Sequence, residues 1–108
     1  MLAIRMETSV VLQDNLLGDE NAGLFMLKYY SHAIGECGKT AEVYGVGIEK
    51  YEMDGEGAVS DTPIETGSTP GLTESYEAVK SFITKLAEGM ATPITLHALA
   101  DDWVAEQP

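Results

Sequence analysis

The sequence predicts an α+β domain, an antiparallel sheet of about four strands that is packed on one face by two C-terminal helices. Between Leu72 and Val104, apolar residues recur at helical spacing in two segments, which Gly89 separates. Before Leu72 the pattern is typical of short strands and turns. With 108 residues the chain has the size of one ordinary domain, so a single α+β domain is predicted over residues 1–108.

The first strand is predicted over Ala3 to Leu12. Its apolar residues recur with a period of two, apart from an interruption at Thr8: Ile4, Met6, Val10 and Leu12. This spacing predicts a half-buried strand with one apolar face. The segment from Gln13 to Asn21 is rich in turn-forming residues and is expected to be a surface connection.

A hairpin is predicted from two β-rich runs, Leu24 to Ile34 and Thr40 to Tyr51, around a two-residue turn at Cys37-Gly38. A slip of one residue would turn Lys28 into the core, and the predicted register avoids this. That register sets these pairs opposite each other: Glu36 and Lys39, Leu27 and Ile48, Tyr29 and Val46, Lys28 and Gly47, Tyr30 and Gly45.

The fourth strand is predicted over Ala58 to Thr66, after an acidic turn. Pro63 has no amide hydrogen, so this strand should lie at a sheet edge or contain a bulge. The glycine- and proline-containing segment Thr66 to Gly71 is expected to be a linker that breaks regular structure.

Two helices complete the predicted fold. The first helix is capped by Thr73 or a neighbouring residue and stops at Gly89. The second helix begins with Thr92 as its N-cap and Pro93 in the first helical position. The first apolar stripe consists of Tyr76, Val79, Phe82, Ile83, Leu86 and Met90, and the second of Leu96, Leu99, Ala100, Trp103 and Val104.

Charge narrows the classes of partner. The formal net charge is −12, which disfavours nucleic acid and anionic membrane surfaces as partners. Acidity of this kind most often serves solubility. No Lys or Arg follows Lys85, however, so a basic partner, if there is one, should meet the acidic end of the second helix. A single cysteine, Cys37, and the absence of a targeting or membrane-spanning pattern predict a cytoplasmic protein.

No residue cluster predicts a catalytic centre, a cofactor or a metal site. The acidic turn within Lys50 to Asp61 lacks the ligand spacing of a calcium loop. The glycines of Gly45-Val46-Gly47 lie in a strand and are expected to be covered by Tyr30 rather than to bind phosphate or another ligand. His97 precedes Asp101 by one helical turn, and a surface pair is favoured over a catalytic one.

The strand Tyr44-Gly45-Val46-Gly47-Ile48-Glu49 and the segment Thr92-Pro93-Ile94-Thr95-Leu96, which leads to Asp101-Asp102-Trp103, resemble a small bacterial family of about this length. That family is a domain of unknown function. The resemblance implies an uncharacterised cytoplasmic protein and supplies no catalytic residue.

The favoured hypothesis is a non-enzymatic protein-interaction or regulatory module. Its partner would bind the uncovered sheet face or the acidic helix end, at Lys28, Tyr30, His32, Gly45, Asp101, Asp102 and Trp103. The alternative is a small-ligand sensor or minor enzyme whose pocket lies between sheet and helices and is lined by Tyr29, Tyr44 and Trp103. A homodimer, formed through an edge strand such as Ala58 to Thr66, is a third option.

Overall fold

A computed structural model describes residues 2–13, 23–35 and 42–106. The strands are β1 (Leu2–Gln13), β2 (Leu24–Gly35), β3 (Glu42–Met53) and β4 (Glu65–Thr73). They form one antiparallel sheet in the order β1-β2-β3-β4. The helices are α1 (Tyr76–Glu88) and α2 (Leu96–Glu106), with a short 3-10 helix, Pro93–Thr95, between them. The predicted α+β fold class is therefore confirmed.

One face of the sheet carries the core. Alternate residues of β2 and β3 point to the same side, where α1 packs across the sheet and α2 packs beside β4. Tyr29 is fully buried there and donates a hydrogen bond from its hydroxyl to the carbonyl oxygen of Ala91 at 2.8 Å, which ties the sheet to the segment between the helices. The core cluster consists of Leu27, Tyr29, Val46, Ile48, Val79, Phe82, Ile83, Leu86, Ala91, Leu96, Ala100 and Trp103.

The predicted β2–β3 register is wrong by two residues. Tyr29 lies opposite Ile48, not Val46, and Tyr30 lies opposite Gly47, not Gly45. Side chains alternate with a period of two, so a shift of two keeps each one on its predicted face, and the apolar pattern cannot distinguish the registers. The predicted Cys37-Gly38 turn and most of the predicted connection after Gln13 lie outside the described residues.

The predicted position of the fourth strand is also wrong, because β4 begins where the strand was expected to end. The preceding segment makes only a single bridge, between Val59 and Met53. Gly67 is needed inside β4, since a Cβ there would lie 2.6 Å from the carbonyl oxygen of Pro93. The sheet register shifts between Thr69 and Thr73, and Gly71 in that shift has φ +70. The glycines and proline of the expected linker thus serve packing and an edge-strand irregularity.

A bulge divides β1 into two parts with opposite orientation. The register shifts between Met6 and Thr8, so Ile4 and Met6 point away from the helices whereas Val10 packs against the core. The prediction of one continuous apolar face is therefore wrong. Ile4 and Met6 are 59% and 54% exposed.

The helix ends follow the predicted chemistry. Ser75, a neighbour of Thr73, caps α1 by accepting a hydrogen bond from the backbone nitrogen of Ala78 at 3.1 Å. Thr92 begins the second helical segment, where its backbone nitrogen donates to Oγ1 of Thr95 at 3.2 Å. The predicted burial is wrong at three stripe positions. Met90 lies just after the end of α1 and is exposed. In α2, Leu99 and Val104 are exposed because this helix is covered along a narrower line than expected.

Candidate functional site

A groove of about 590 Å³ lies between the second half of α1 and α2. Phe82 from α1 and Trp103 from α2 both line it, and their rings are stacked with centroids 4.8 Å apart and planes 14° from parallel. Both rings are almost fully buried, so they give the groove a rigid aromatic base.

Two exposed apolar side chains also line this groove. Met90 is 47% exposed and Leu99 is 38% exposed. Met90 has φ 52, in the left-handed region that a residue with a Cβ adopts at a cost of about 1 kcal/mol. The conformation is held by hydrogen bonds from the backbone nitrogens of Met90 and Ala91 to the carbonyl oxygens of Ala87 and Leu86, at 3.1 and 2.9 Å.

Acidic side chains lie on the α2 side of the groove. Asp102 and Glu106, one helical turn apart, both line it, and Lys85 lines it from α1. Within the described ranges, neither carboxylate has a cationic group within 4 Å. Of the three residues predicted at this helix end, the structure therefore brings Asp102 and Trp103 into one site, whereas the adjacent Asp101 does not line the groove.

The other predicted surface is the sheet face that points away from the helices, which we call the open face. Lys28, Tyr30 and His32 of β2 lie on it. Tyr51 donates a hydrogen bond to Oε1 of Glu49 at 2.8 Å. Burial and, next, a hydrogen bond with Glu49 raise the pKa of Tyr30.

The two glycines of β3 are covered differently from the prediction. A Cβ on Gly47 would lie 2.6 Å from Nε2 of His32, and a Cβ on Gly45 would lie 2.6 Å from Cα of Pro70 in β4. The predicted covering of Gly45 by Tyr30 is therefore wrong. The half-buried His32 ring has its pKa lowered by burial. His32 borders a depression of about 530 Å³, which His97 also lines. In the part of the chain that the structure describes, His97 and Asp101 form no ion pair.

Sequence reasoning missed a buried carboxylate. Glu7, at the β1 bulge, has a side chain that is 7% exposed, and it accepts a hydrogen bond from the Tyr76 hydroxyl at 2.6 Å. Nε of Arg5 lies 3.5 Å from Oε1 of Glu7. The hydrogen bond with Glu7 is the largest cause that raises the pKa of Tyr76. The interruption at Thr8 was the available signal, because a break in the period of two can mark a bulge.

The three residues predicted to line a pocket between sheet and helices do not lie in one pocket. Tyr29 is fully buried in the core, Tyr44 lines a depression of about 340 Å³ beside Tyr76, and Trp103 lines the groove between the helices. The structure thus places the three predicted lining residues in three different environments.

No helix in the described parts of the chain is long and apolar enough to span a membrane. Comparison with curated proteins gives no match, and comparison with solved structures gives none either. A family model described as a family of unknown function (DUF6514) matches residues 8–106. The match extends over most of the sheet and both helices, so the chain belongs to this family.

Proposed function

We propose that the protein is a non-enzymatic interaction module of the cytoplasm, and that its groove between α1 and α2 holds a segment of a partner protein. The segment would carry an apolar side chain beside a basic one. The observation that supports this most is the combination of aromatic base, exposed apolar walls and acidic rim in one concave site.

The apolar part of the groove supplies the binding energy. Phe82 and Trp103 are held rigid by their stacking, so a partner side chain can pack on them without ordering them. Full burial of one Leu- or Phe-sized side chain contributes about 1.5–3 kcal/mol. A few such anchors, surrounded by a rim that excludes water, account for most of the affinity in typical interfaces. Met90 and Leu99 are placed to form that rim.

The acidic rim selects the charge of the partner. Asp102 and Glu106 outnumber Lys85 at the groove, and the whole chain has a formal net charge of −12. A basic segment is therefore attracted at long range and an acidic one is repelled. Because such attraction is screened by ions, binding should weaken as salt is raised from 50 to 300 mM.

Trp103 gives a direct assay, because it is the single tryptophan of the chain and lies in the groove. Its fluorescence is titrated with a pool of 12-residue peptides that contain one Leu or Phe flanked by Lys and Arg. A matched pool has Glu in place of the basic residues. The basic pool should bind and change the emission, whereas the acidic pool should not.

Two pairs of variants locate the binding. Leu99→Glu changes a groove residue, and Val104→Glu changes an exposed apolar residue of the same helix outside the groove. Asp102→Lys and its neighbour Asp101→Lys alter the net charge equally. Leu99→Glu and Asp102→Lys should each weaken the binding of the basic pool about tenfold, or by about 1.4 kcal/mol. The control variants should bind this pool about as tightly as wild type does. Equal effects of Asp101→Lys and Asp102→Lys would show that the peptides bind by nonspecific charge attraction, and this would refute the proposal. So would tight binding of uncharged apolar compounds without any binding of the basic pool.

A further inference from the structure

We infer that the open face of the sheet is the contact surface for a second copy of this chain. The groove lies on the other side of the molecule, between the helices, so this inference is independent of the proposed function. The two sheets would pack face to face, as in a β-sandwich.

The first observation is an apolar exposed patch on β1. Ile4, Met6 and Val11 are 59%, 54% and 48% exposed, and by the strand register all three point to the open face. Ile4 and Met6 reach it because the bulge at Glu7 reverses the orientation of the strand before it. Bulges that re-aim side chains in this way are typically built-in features of a fold rather than defects.

Several polar side chains near the middle of this face contact one another. Tyr51 donates to Glu49 at 2.8 Å, and Nζ of Lys28 lies 4.5 Å from the centre of the Tyr51 ring. Tyr30 joins the same group through Glu49. Covering such a network costs less than covering polar groups whose partners are water molecules.

The charge of the face supports a second copy over a basic partner. Lys28 and Glu49 are cross-strand partners, and they are the charged residues that the register places on the open face among the described strands. Their charges cancel, whereas the chain as a whole carries −12. A neutral face does not select a basic protein. It is, however, a surface through which two strongly acidic chains can approach with little local repulsion.

The area of the face is sufficient for a stable dimer. Strands of 12 residues are about 40 Å long at about 3.3 Å per residue, and four strands spaced about 4.8 Å apart cover about 19 Å. Allowing for the shorter β4, each copy contributes about 700 Å². Two copies together bury about 1,400 Å², within the range of about 1,200–2,000 Å² of stable interfaces.

Sedimentation velocity between 1 and 200 µM at 50 and 500 mM NaCl tests the inference. Wild type should be dimeric at the upper concentrations, and the dimer should tighten with salt, because screening reduces repulsion between two chains of charge −12. The peptide binding proposed for the groove has the opposite salt dependence. The dimer and the peptide binding can therefore be refuted independently of each other. A wild type that is monomeric at 200 µM in both salt concentrations would overturn the inference.

A matched pair of variants locates the interface. Ile4→Lys places a charge on the open face, and Ile94→Lys places one at an exposed isoleucine of the 3-10 helix. Both are solvent-facing, so circular dichroism should show both to be folded. Ile4→Lys should raise the dimer dissociation constant at least tenfold and Ile94→Lys should leave it within about twofold. A dimer that both variants leave unchanged, or that Leu99→Glu disrupts instead, would place the contact elsewhere and overturn the inference.

Discussion

Replacement of Tyr29 by Phe tests how the sheet is joined to the segment between the helices. The change removes the hydroxyl that donates to the carbonyl oxygen of Ala91 at 2.8 Å and leaves that buried oxygen without this partner. The loss should cost about 1–2 kcal/mol at pH 7. For a domain of this size that corresponds to a decrease of about 5–10 °C in Tm.

The pH dependence gives a second, more specific signature. Burial raises the pKa of Tyr29 from 10.0 to about 12, so the unfolded chain releases this proton at lower pH than the folded protein does. The contribution to stability is complete below pH 10 and is lost as the pH rises towards 12. At pH 11 it has decreased by about 1.4 kcal/mol. Tyr29→Phe lacks this titration. The difference in free energy of unfolding between wild type and Tyr29→Phe should therefore be smaller at pH 11 than at pH 7 by about that amount.

Urea unfolding followed by Trp103 fluorescence at pH 7, 9 and 11 measures both effects, and the other tyrosines titrate in both proteins alike. Equal unfolding midpoints at pH 7 would show that the hydrogen bond to Ala91 does not stabilise the fold. A difference in free energy of unfolding that stays constant up to pH 11 would contradict the burial of the Tyr29 hydroxyl.

Three other changes test separate parts of the structure. Gly67→Ala should lower the free energy of unfolding by about 1–3 kcal/mol, because its Cβ would lie 2.6 Å from the carbonyl oxygen of Pro93. Gly55→Ala is the control, since no atom lies within 4 Å of the new Cβ. In the same urea titration it should change the free energy of unfolding by less than about 0.5 kcal/mol. Met90→Gly should raise Tm by relieving φ 52 and at the same time weaken the basic peptide pool; a lower Tm would argue against strain at this position. Glu7→Gln should lower the pKa of Tyr76 in an ultraviolet absorbance titration, and an unchanged titration curve would contradict their hydrogen bond.

The fold class could be predicted because it depends on periodicity, which the sequence displays directly. The helix starts at Ser75 and Thr92 follow from local capping chemistry, and both are observed close to their predicted positions. Register is different. A shift of two residues between β2 and β3 conserves every side-chain direction, so the choice depends on contacts between strands that the pattern does not encode.

Glycine and proline were the main source of error. In the segment that forms β4 they were expected to break structure, yet Gly67 allows the 3-10 helix to approach the strand and Gly71 belongs to an edge irregularity. At the end of α1, Gly89 is the C-cap, as predicted, but it has φ −88, and the left-handed conformation is adopted by the next residue, Met90. Both outcomes depend on tertiary neighbours.

The candidate site was predicted in part. Asp102 and Trp103 were chosen from the acidity of the helix end, and the structure places both in the groove. The walls of the groove were missed because Met90 and Leu99 were assigned to the buried stripes by their spacing. Spacing indicates which side of a helix is apolar, but it does not indicate how much of that side a short second helix covers.

We expect the groove between the helices to be the surface that recognises a partner. Backbone amide chemical shifts, recorded on isotope-labelled protein during titration with the basic peptide pool, test it most directly. The largest shifts should fall on Leu86, Met90, Leu99, Asp102 and Trp103, with the open face around Tyr30 unaffected. Shifts concentrated on the open face, or spread over all acidic residues alike, would contradict it.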